Sequence, residues 1–225
     1  MPEFDTARLR TVALLGHGGA GKTTLAEALL AAAGAIRTPG TVERGTTTSD
    51  HDPLEKTWQH SLRTSVLHLE TNGTRVHLLD TPGFPDFIGQ SIEALDAVET
   101  AAVVVNAQLG IEMITTRMMQ WAAERKLCRI LVVNKIDAEN VDLPGLLAQL
   151  RETFGSEVLP INLPAGNGTR VVDCFFNPRG DADFSSVAEA HRALIDQVVE
   201  VDEAVMNAYL EQGDAAPESL HAPFE

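Results

Sequence analysis

Gly16-His17-Gly18-Gly19-Ala20-Gly21-Lys22-Thr23 follows an apolar run, Thr11 to Leu15, and precedes a helix-like run, Thr24 to Ala33. The string fits the pattern G-x-x-x-x-G-K-T, and a strand before it with a helix after it is the setting in which that pattern becomes a site. Glycines let the backbone wrap a polyphosphate so that several peptide N–H groups point inward. Lys22 neutralises the outer phosphates, and the Thr23 hydroxyl can take a place on Mg²⁺. His17, Gly18, Gly19, Ala20, Gly21, Lys22, Thr23 and Thr24 are therefore the expected phosphate-binding set, and the chain is expected to bind a nucleoside triphosphate.

Outward from this loop, β-rich apolar runs alternate with helical patterns, which predicts an α/β fold with a mostly parallel sheet and helices on both faces. Strands are expected near Thr11 to Leu15, Ser65 to Glu70, Arg75 to Asp80, Ala101 to Asn106 and Arg129 to Asn134. Helices are expected near Thr23 to Ala33, Asp86 to Val98, Glu112 to Lys126 and Leu143 to Phe154. Asn72-Gly73 between the second and third strands is a hairpin signal, so one antiparallel pair interrupts the parallel order. Asp142 suits the cap of the fourth helix, with Pro144 in its first turn. Beyond Phe154, Pro160, Pro164, Gly166, Gly168, Pro178 and Gly180 punctuate two short strand-like runs, Val158 to Leu163 and Thr169 to Phe176, as in a small satellite subdomain. Ser186 and Glu189 form a capping-box pattern that opens a helix expected to reach about Gln212.

Two further motifs fall at strand ends. Asn134-Lys135-Ile136-Asp137 reads as a guanine pocket. The Asp137 carboxylate facing two parallel donors makes a bidentate, charge-assisted pair, and guanine offers N1–H and N2–H₂ in that arrangement, whereas adenine does not. The Lys135 stem can lie across the base, and Asn134 can tie its loop to the phosphate loop. Asp80-Thr81-Pro82-Gly83 carries little information alone. After the hairpin strand, however, it puts Asp80 beside Thr23, where it would hold Mg²⁺ through water, and lets the Gly83 N–H meet a γ-phosphate.

Composition narrows the alternatives. The 225 residues are 44% hydrophobic and 22% charged, and no apolar run approaches the length that crosses a bilayer. The start of the chain is polar with no signal-like apolar core, and two cysteines, Cys128 and Cys174, make neither a disulfide framework nor a metal knuckle. A reduced, cytoplasmic setting is expected. The net charge of −15 argues against a nucleic-acid grip by this chain itself, because such a grip needs clustered Lys and Arg. Residues 1–157 hold 14 basic and 20 acidic side chains, net −6, while residues 158–225 hold 3 and 12, net −9.

The run G-H-x-x-x-G-K-T-T-L-A-E-A-L-L, then D-T-P-G-F-P-D-F, then V-N-K-I-D resembles the GTPase domain of translation elongation factor G. The Thr41 to Val66 segment is similar to the second-type paralogues of that factor. The resemblance implies a P-loop GTPase core over residues 1–157, lacking its last strand and helix, and an inserted α+β subdomain over 158–225 with a long acidic helix. It implies GTP and GDP with Mg²⁺ as ligands, and the ribosome as a partner of the full-length protein. Release factors and ribosome-protection proteins share the same domain. Two departures concern chemistry. Phe84 stands where the family usually has a histidine that orients the attacking water, so hydrolysis is expected to be slow. The family's R-G-I-T switch motif is replaced by Gln59-His60-Ser61-Leu62, which makes Ser61 the second Mg²⁺ hydroxyl, with Thr46, Thr47 and Thr48 as the competing choice. His60 then falls near the γ-phosphate and, with Lys22 and Gly83, completes the expected catalytic set. His17 is shared with the family and is given a structural role.

Overall fold

The computed structural model describes residues 5–199, which fall into two compact units, Met1–Lys135 and Ile136–Glu225. In the first unit five strands form one sheet: β1 (Leu9–Leu15), β2 (Ser65–Thr71), β3 (Thr74–Asp80), β4 (Thr100–Asn106) and β5 (Cys128–Asn134), in the order β2-β3-β1-β4-β5. β1 runs parallel to both β3 and β4, and β4 runs parallel to β5. In this sheet only the β2–β3 pair is antiparallel. It closes through Asn72 and Gly73 with φ of 48° and 75°, the double positive-φ turn whose twist matches a hairpin.

Register decides where chemistry can occur. Leu14 lies opposite Asp80, Leu15 opposite Val103, and Asn106 opposite Asn134. The carboxyl ends of β1, β3, β4 and β5 therefore share one edge, the edge at which open α/β sheets bind ligands. β4 is buried along almost its whole length, which explains its continuous Ala and Val content. Helix α1 (Lys22–Ala32) lays Ala26 and Leu30 on the sheet against Leu14, Leu67, Leu78 and Val104, fixing the loop that precedes it.

The other helices of this unit are α2 (Pro53–Trp58), α3 (Ile88–Leu95) and α4 (Met113–Glu124). α3 is shorter than the expected Asp86 to Val98. Pro85–Phe87 forms a 3₁₀ turn before it, and after Leu95 the Asp96 and Ala97 N–H groups bond to the Glu93 and Ala94 carbonyls, tightening the chain out of the α-helix. α2 was absent from the sequence expectation, although Asp52 and Glu55 form a full capping box around Pro53.

The second unit contains α5 (Leu143–Phe154), β6 (Asn162–Ala165), β7 (Arg170–Asp173) and α6 (Val187–Val199). Asp142 caps α5 by accepting from the Gly145 N–H at 3.0 Å. The first short strand was expected at Val158 to Leu163 and instead spans Asn162–Ala165. Pro160 has no N–H for a ladder, and the Val158 N–H turns back to the Gly155 carbonyl. The second, expected to reach Phe176, stops at Asp173, whose carboxylate takes the Phe175 and Phe176 N–H groups in an Asx turn. α6 opens with Ser186 accepting from the Glu189 N–H, and its Val187, Ala190, Leu194, Ile195 and Val198 pack with Leu163, Cys174 and Phe175. Its expected continuation to Gln212 lies outside the described residues. Among the described residues no helix is long and apolar enough to cross a membrane.

Candidate functional site

Lys22 opens α1 directly after Gly21, whose left-handed φ of 95° turns the chain from loop into helix; a side chain there would also strike the Asn134 amide nitrogen. The Lys22 side chain curls back over the loop, and Nζ donates to the Gly16 and His17 carbonyls, at 2.9 Å each. Burial lowers its pKa to about 8, against the opposing pull of the Asp80 and Glu112 carboxylates. His17 sits beside it, with Nδ1 2.7 Å from the Gly18 carbonyl and 3.3 Å from Glu112 Oε1. Ala20 is buried and accepts from Asn134 Nδ2 at 2.9 Å, so β5 is tied to the phosphate loop through the side chain expected to do so. Gly19 and Thr24 are exposed, the latter on the first turn of α1.

Thr23, Ser61 and Asp80 come together. Thr23 Oγ1 donates to Asp80 Oδ2 at 2.8 Å and lies 3.4 Å from Ser61 Oγ. Ser61 in turn donates to Asp50 Oδ1 at 2.9 Å, and Thr47 donates to Asp50 Oδ2 at 2.7 Å. Of the hydroxyls considered from sequence, Ser61 is thus the one beside Thr23, whereas Thr46 pairs with the Thr41 backbone and Thr47 with Asp50. Asp80 is 1% exposed, and its Oδ1 has no hydrogen-bond partner; the buried Ser49 hydroxyl lies close enough to favour the carboxylate without meeting hydrogen-bond geometry. Desolvation raises the Asp80 pKa to about 6, with Thr23, Ser49 and Lys22 opposing and Asp50 adding to the rise. An orphaned buried carboxylate oxygen flanked by two hydroxyls fits a hard divalent cation such as Mg²⁺. Among the described residues there is no cluster of three or more His, Cys, Asp or Glu that could hold a metal ion by itself.

The loop after β3 lies on the phosphate loop. Thr81 Oγ1 donates to the Leu14 carbonyl at 2.7 Å and Ser91 Oγ to the Pro82 carbonyl at 2.8 Å, so both sides of the turn are pinned. The Gly83 carbonyl accepts from the Gly18 N–H at 2.8 Å, and a side chain at 83 would strike Lys22 Nζ and the Gly18 nitrogen. It is thus the carbonyl of Gly83 that bonds to the phosphate loop. The Phe84 ring covers Gly18, 3.0 Å from where a Cβ there would stand. His60 packs beside it, ring centroids 4.6 Å apart, with Phe87 at 6.2 Å and Trp58 at 5.9 Å; its Nδ1 is 2.9 Å from the Trp58 carbonyl.

Three carboxylates that place the 38–62 segment were not identified from sequence. Glu27 on α1, 1% exposed, accepts from the Gly40 and Thr48 N–H groups. Asp50 orients Ser61. Glu55 accepts from the Asp52, Leu62 and Arg63 N–H groups. A signal existed for Asp50, which ends the hydroxyl-rich run Thr46-Thr47-Thr48-Ser49, and for Glu27, which sits among Ala and Leu on the helix. At the end of β5, Asn134 and Lys135 close the first unit, Lys135 with φ of 59°. Ile136 and Asp137 open the second, with Asp137 exposed.

Comparison with known proteins identifies the family of this fold. The family model for the elongation factor Tu GTP binding domain matches residues 7–218. An elongation factor G-like protein of Mycobacterium tuberculosis is 35% identical over 225 residues, covering 94% of this chain and 31% of that protein. A namesake from Thermotoga maritima is 33% identical, covering 94% and 32%. Peptide chain release factor 3 of Nitrosomonas eutropha is 38% identical over 172 residues, covering 75% and 32%. A crystal structure of a Thermus thermophilus protein superposes with a TM-score of 0.83 at 38% identity, covering 97% of this chain and 35% of that one. The chain thus spans about a third of the length of the relatives it matches. It belongs to the elongation factor Tu GTP-binding domain family, as a GTP-binding domain of the elongation factor G-like kind.

Proposed function

We propose that this domain is a slow GTP-hydrolysing switch within an elongation factor G-like translation factor that works on the ribosome. The carrying observation is the junction of Thr23, Ser61 and Asp80, because it links the phosphate loop, the 38–62 segment and the loop after β3 at one point. Lys22 supplies positive charge at the outer phosphates, the loop N–H groups surround them, and Asp137 selects guanine by a bidentate pair. Mg²⁺, held by Thr23 and Ser61 with Asp80 behind them, would neutralise charge on the β- and γ-phosphates. Ser61 links the 38–62 segment to that point, so loss of the γ-phosphate releases the segment. Phe84 offers no hydrogen bond to an attacking water, and we read His60, whose ring packs beside it, as the side chain that substitutes.

The Phe84 contact also favours a second reading, a GTP-binding regulatory module with little hydrolysis. The release factor 3 relatives favour a third, a release-factor or ribosome-protection role for the whole protein. Calorimetric titration with GTP, GDP and ATP, with and without Mg²⁺, tests the binding claim. A clear preference for GTP and GDP over ATP is expected, since adenine offers the Asp137 carboxylate no matching pair of donors. Equal affinity for ATP would overturn it. Phosphate release measured with and without ribosomes separates a switch from a module without turnover.

A further inference from the structure

In the second unit, the turn joining β6 to β7 presses on the backbone that carries Asp137. A Cβ added at Gly168 would stand 2.5 Å from the Ile136 carbonyl oxygen, 2.9 Å from its carbon and 3.2 Å from the Asp137 nitrogen. Real Cβ atoms do not approach backbone that closely, so only glycine lets the two segments meet. Gly168 also has φ of 74°, and Asn167 before it 56°. The turn is held in this shape from a third place in the chain. Asp183 Oδ1 accepts from the Asn167 N–H at 3.0 Å and Oδ2 from the Gly168 N–H at 2.8 Å, while the Asp183 N–H bonds to the Pro164 carbonyl at 2.8 Å. Thr169 Oγ1 closes the turn on the Gly166 carbonyl at 2.7 Å.

Nothing in the phosphate chemistry requires this clamp. The hairpin turn is fixed by one carboxylate with both oxygens engaged, and the face so fixed meets the peptide between Ile136 and Asp137. We propose that Gly168 and Asp183 are positioning residues for purine selection, the clamped turn serving as the backing that sets where the Asp137 carboxylate stands. This rests on the reading of Asp137 as the guanine-selecting group. A bidentate pair with guanine needs both oxygens within normal hydrogen-bond distance and angle at once, so a displacement of a few tenths of an ångström at the Asp137 peptide weakens one or both bonds. Phosphate recognition, made by the loop after β1, is untouched by that displacement.

The test is equilibrium binding of GDP, IDP, ADP and inorganic tripolyphosphate to the chain and to the variants Gly168→Ala and Asp183→Ala, with thermal melts as a check on folding. IDP lacks the 2-amino group and makes only one of the two bonds to Asp137, so the GDP-to-IDP ratio reports carboxylate position and not general stability. Gly168→Ala is expected to lose about tenfold or more in GDP affinity, the weight of one hydrogen bond to a charged group. Its GDP-to-IDP ratio should shrink toward one while tripolyphosphate binding stays within about twofold. Asp183→Ala, which frees the turn without filling the contact, should shift the same ratio in the same direction and carries the test if Gly168→Ala does not fold. An unchanged ratio in a folded variant overturns the proposal, as does parallel loss of GDP, IDP and tripolyphosphate. Native protein that binds ADP or IDP as well as GDP would overturn the guanine reading itself, before any variant is considered.

Discussion

At Asp80 the fold keeps a carboxylate in a place that does not favour its charge. Burial holds the pKa near 6, above the ordinary value of 3.8, so its favourable contribution to folding is fully present below about pH 4 and is lost as pH rises through about 6. Lys22, lowered to about 8, works in the other window: its penalty is relieved as pH climbs from about 8 toward the unfolded value of 10.5. Urea unfolding without nucleotide is expected to show Asp80→Asn more stable than the native chain above pH 6, on the order of 2–3 kcal/mol, with the difference vanishing near pH 4. The same variant should lose most of the Mg²⁺ dependence of GTP binding, so function and stability diverge at one side chain. Phe84 offers a second contrast. Phe84→His is expected to raise GTP turnover by about 10² or more, and His60→Ala to lower the residual rate of the native chain. A His60→Ala turnover equal to the native one would show the histidine idle.

At the scale of elements, α2, the shortest α-helix described, bears on the cation junction from the side of Ser61. It ends two residues before His60, and Glu55 inside it holds the Leu62 and Arg63 N–H groups, which fixes the backbone leading out of Ser61. Asp52→Ala removes the cap alone and should cost about 1 kcal/mol in unfolding free energy, read from the denaturant midpoint. Glu55→Ala removes the cap partner and the tether together, so it should weaken Mg²⁺-dependent GTP binding as well; if both variants lower stability alike and leave that binding intact, α2 is only a prop. The sequence patterns foretold the sheet well, because β1, β3, β4 and β5 carry apolar runs and Asn72-Gly73 is an unambiguous turn. α2 is not legible as a helix by period, because six residues are too few to show one, although Asp52-Pro53-Leu54-Glu55 carries the capping signature. The meeting of Thr23 with Asp80 and the tie from Asn134 to the phosphate loop were legible in local motifs. The contacts of Glu27, Asp50 and Asp183 were not, because their partners lie elsewhere in the chain and only the packed backbone brings them together.

For the whole chain, a net charge of −15 sets the terms of encounter. Any long-range attraction of a basic partner to this charge is expected to weaken as salt rises, which a binding measurement over a salt series would check. Ligand linkage offers the most direct global test. GTP with Mg²⁺ at about 100 times its dissociation constant should add about 2.7 kcal/mol to unfolding free energy, ATP at the same concentration should add nothing measurable, and chelating the metal should remove most of the gain. Under the proposed switch, α1 is a second hold on the 38–62 segment besides the Ser61 junction. That helix begins with Lys22 and Thr23 at the phosphate loop, and one turn later Glu27 grips the peptides of Gly40 and Thr48. One helix thus bears both the phosphate-binding side chains and an anchor for the segment that the proposed switch would release. Glu27→Ala should therefore loosen the stretch around Gly40 and Thr48 while Ser61 still meets Thr23, so a probe on that stretch would report the lesion more strongly than a nucleotide titration.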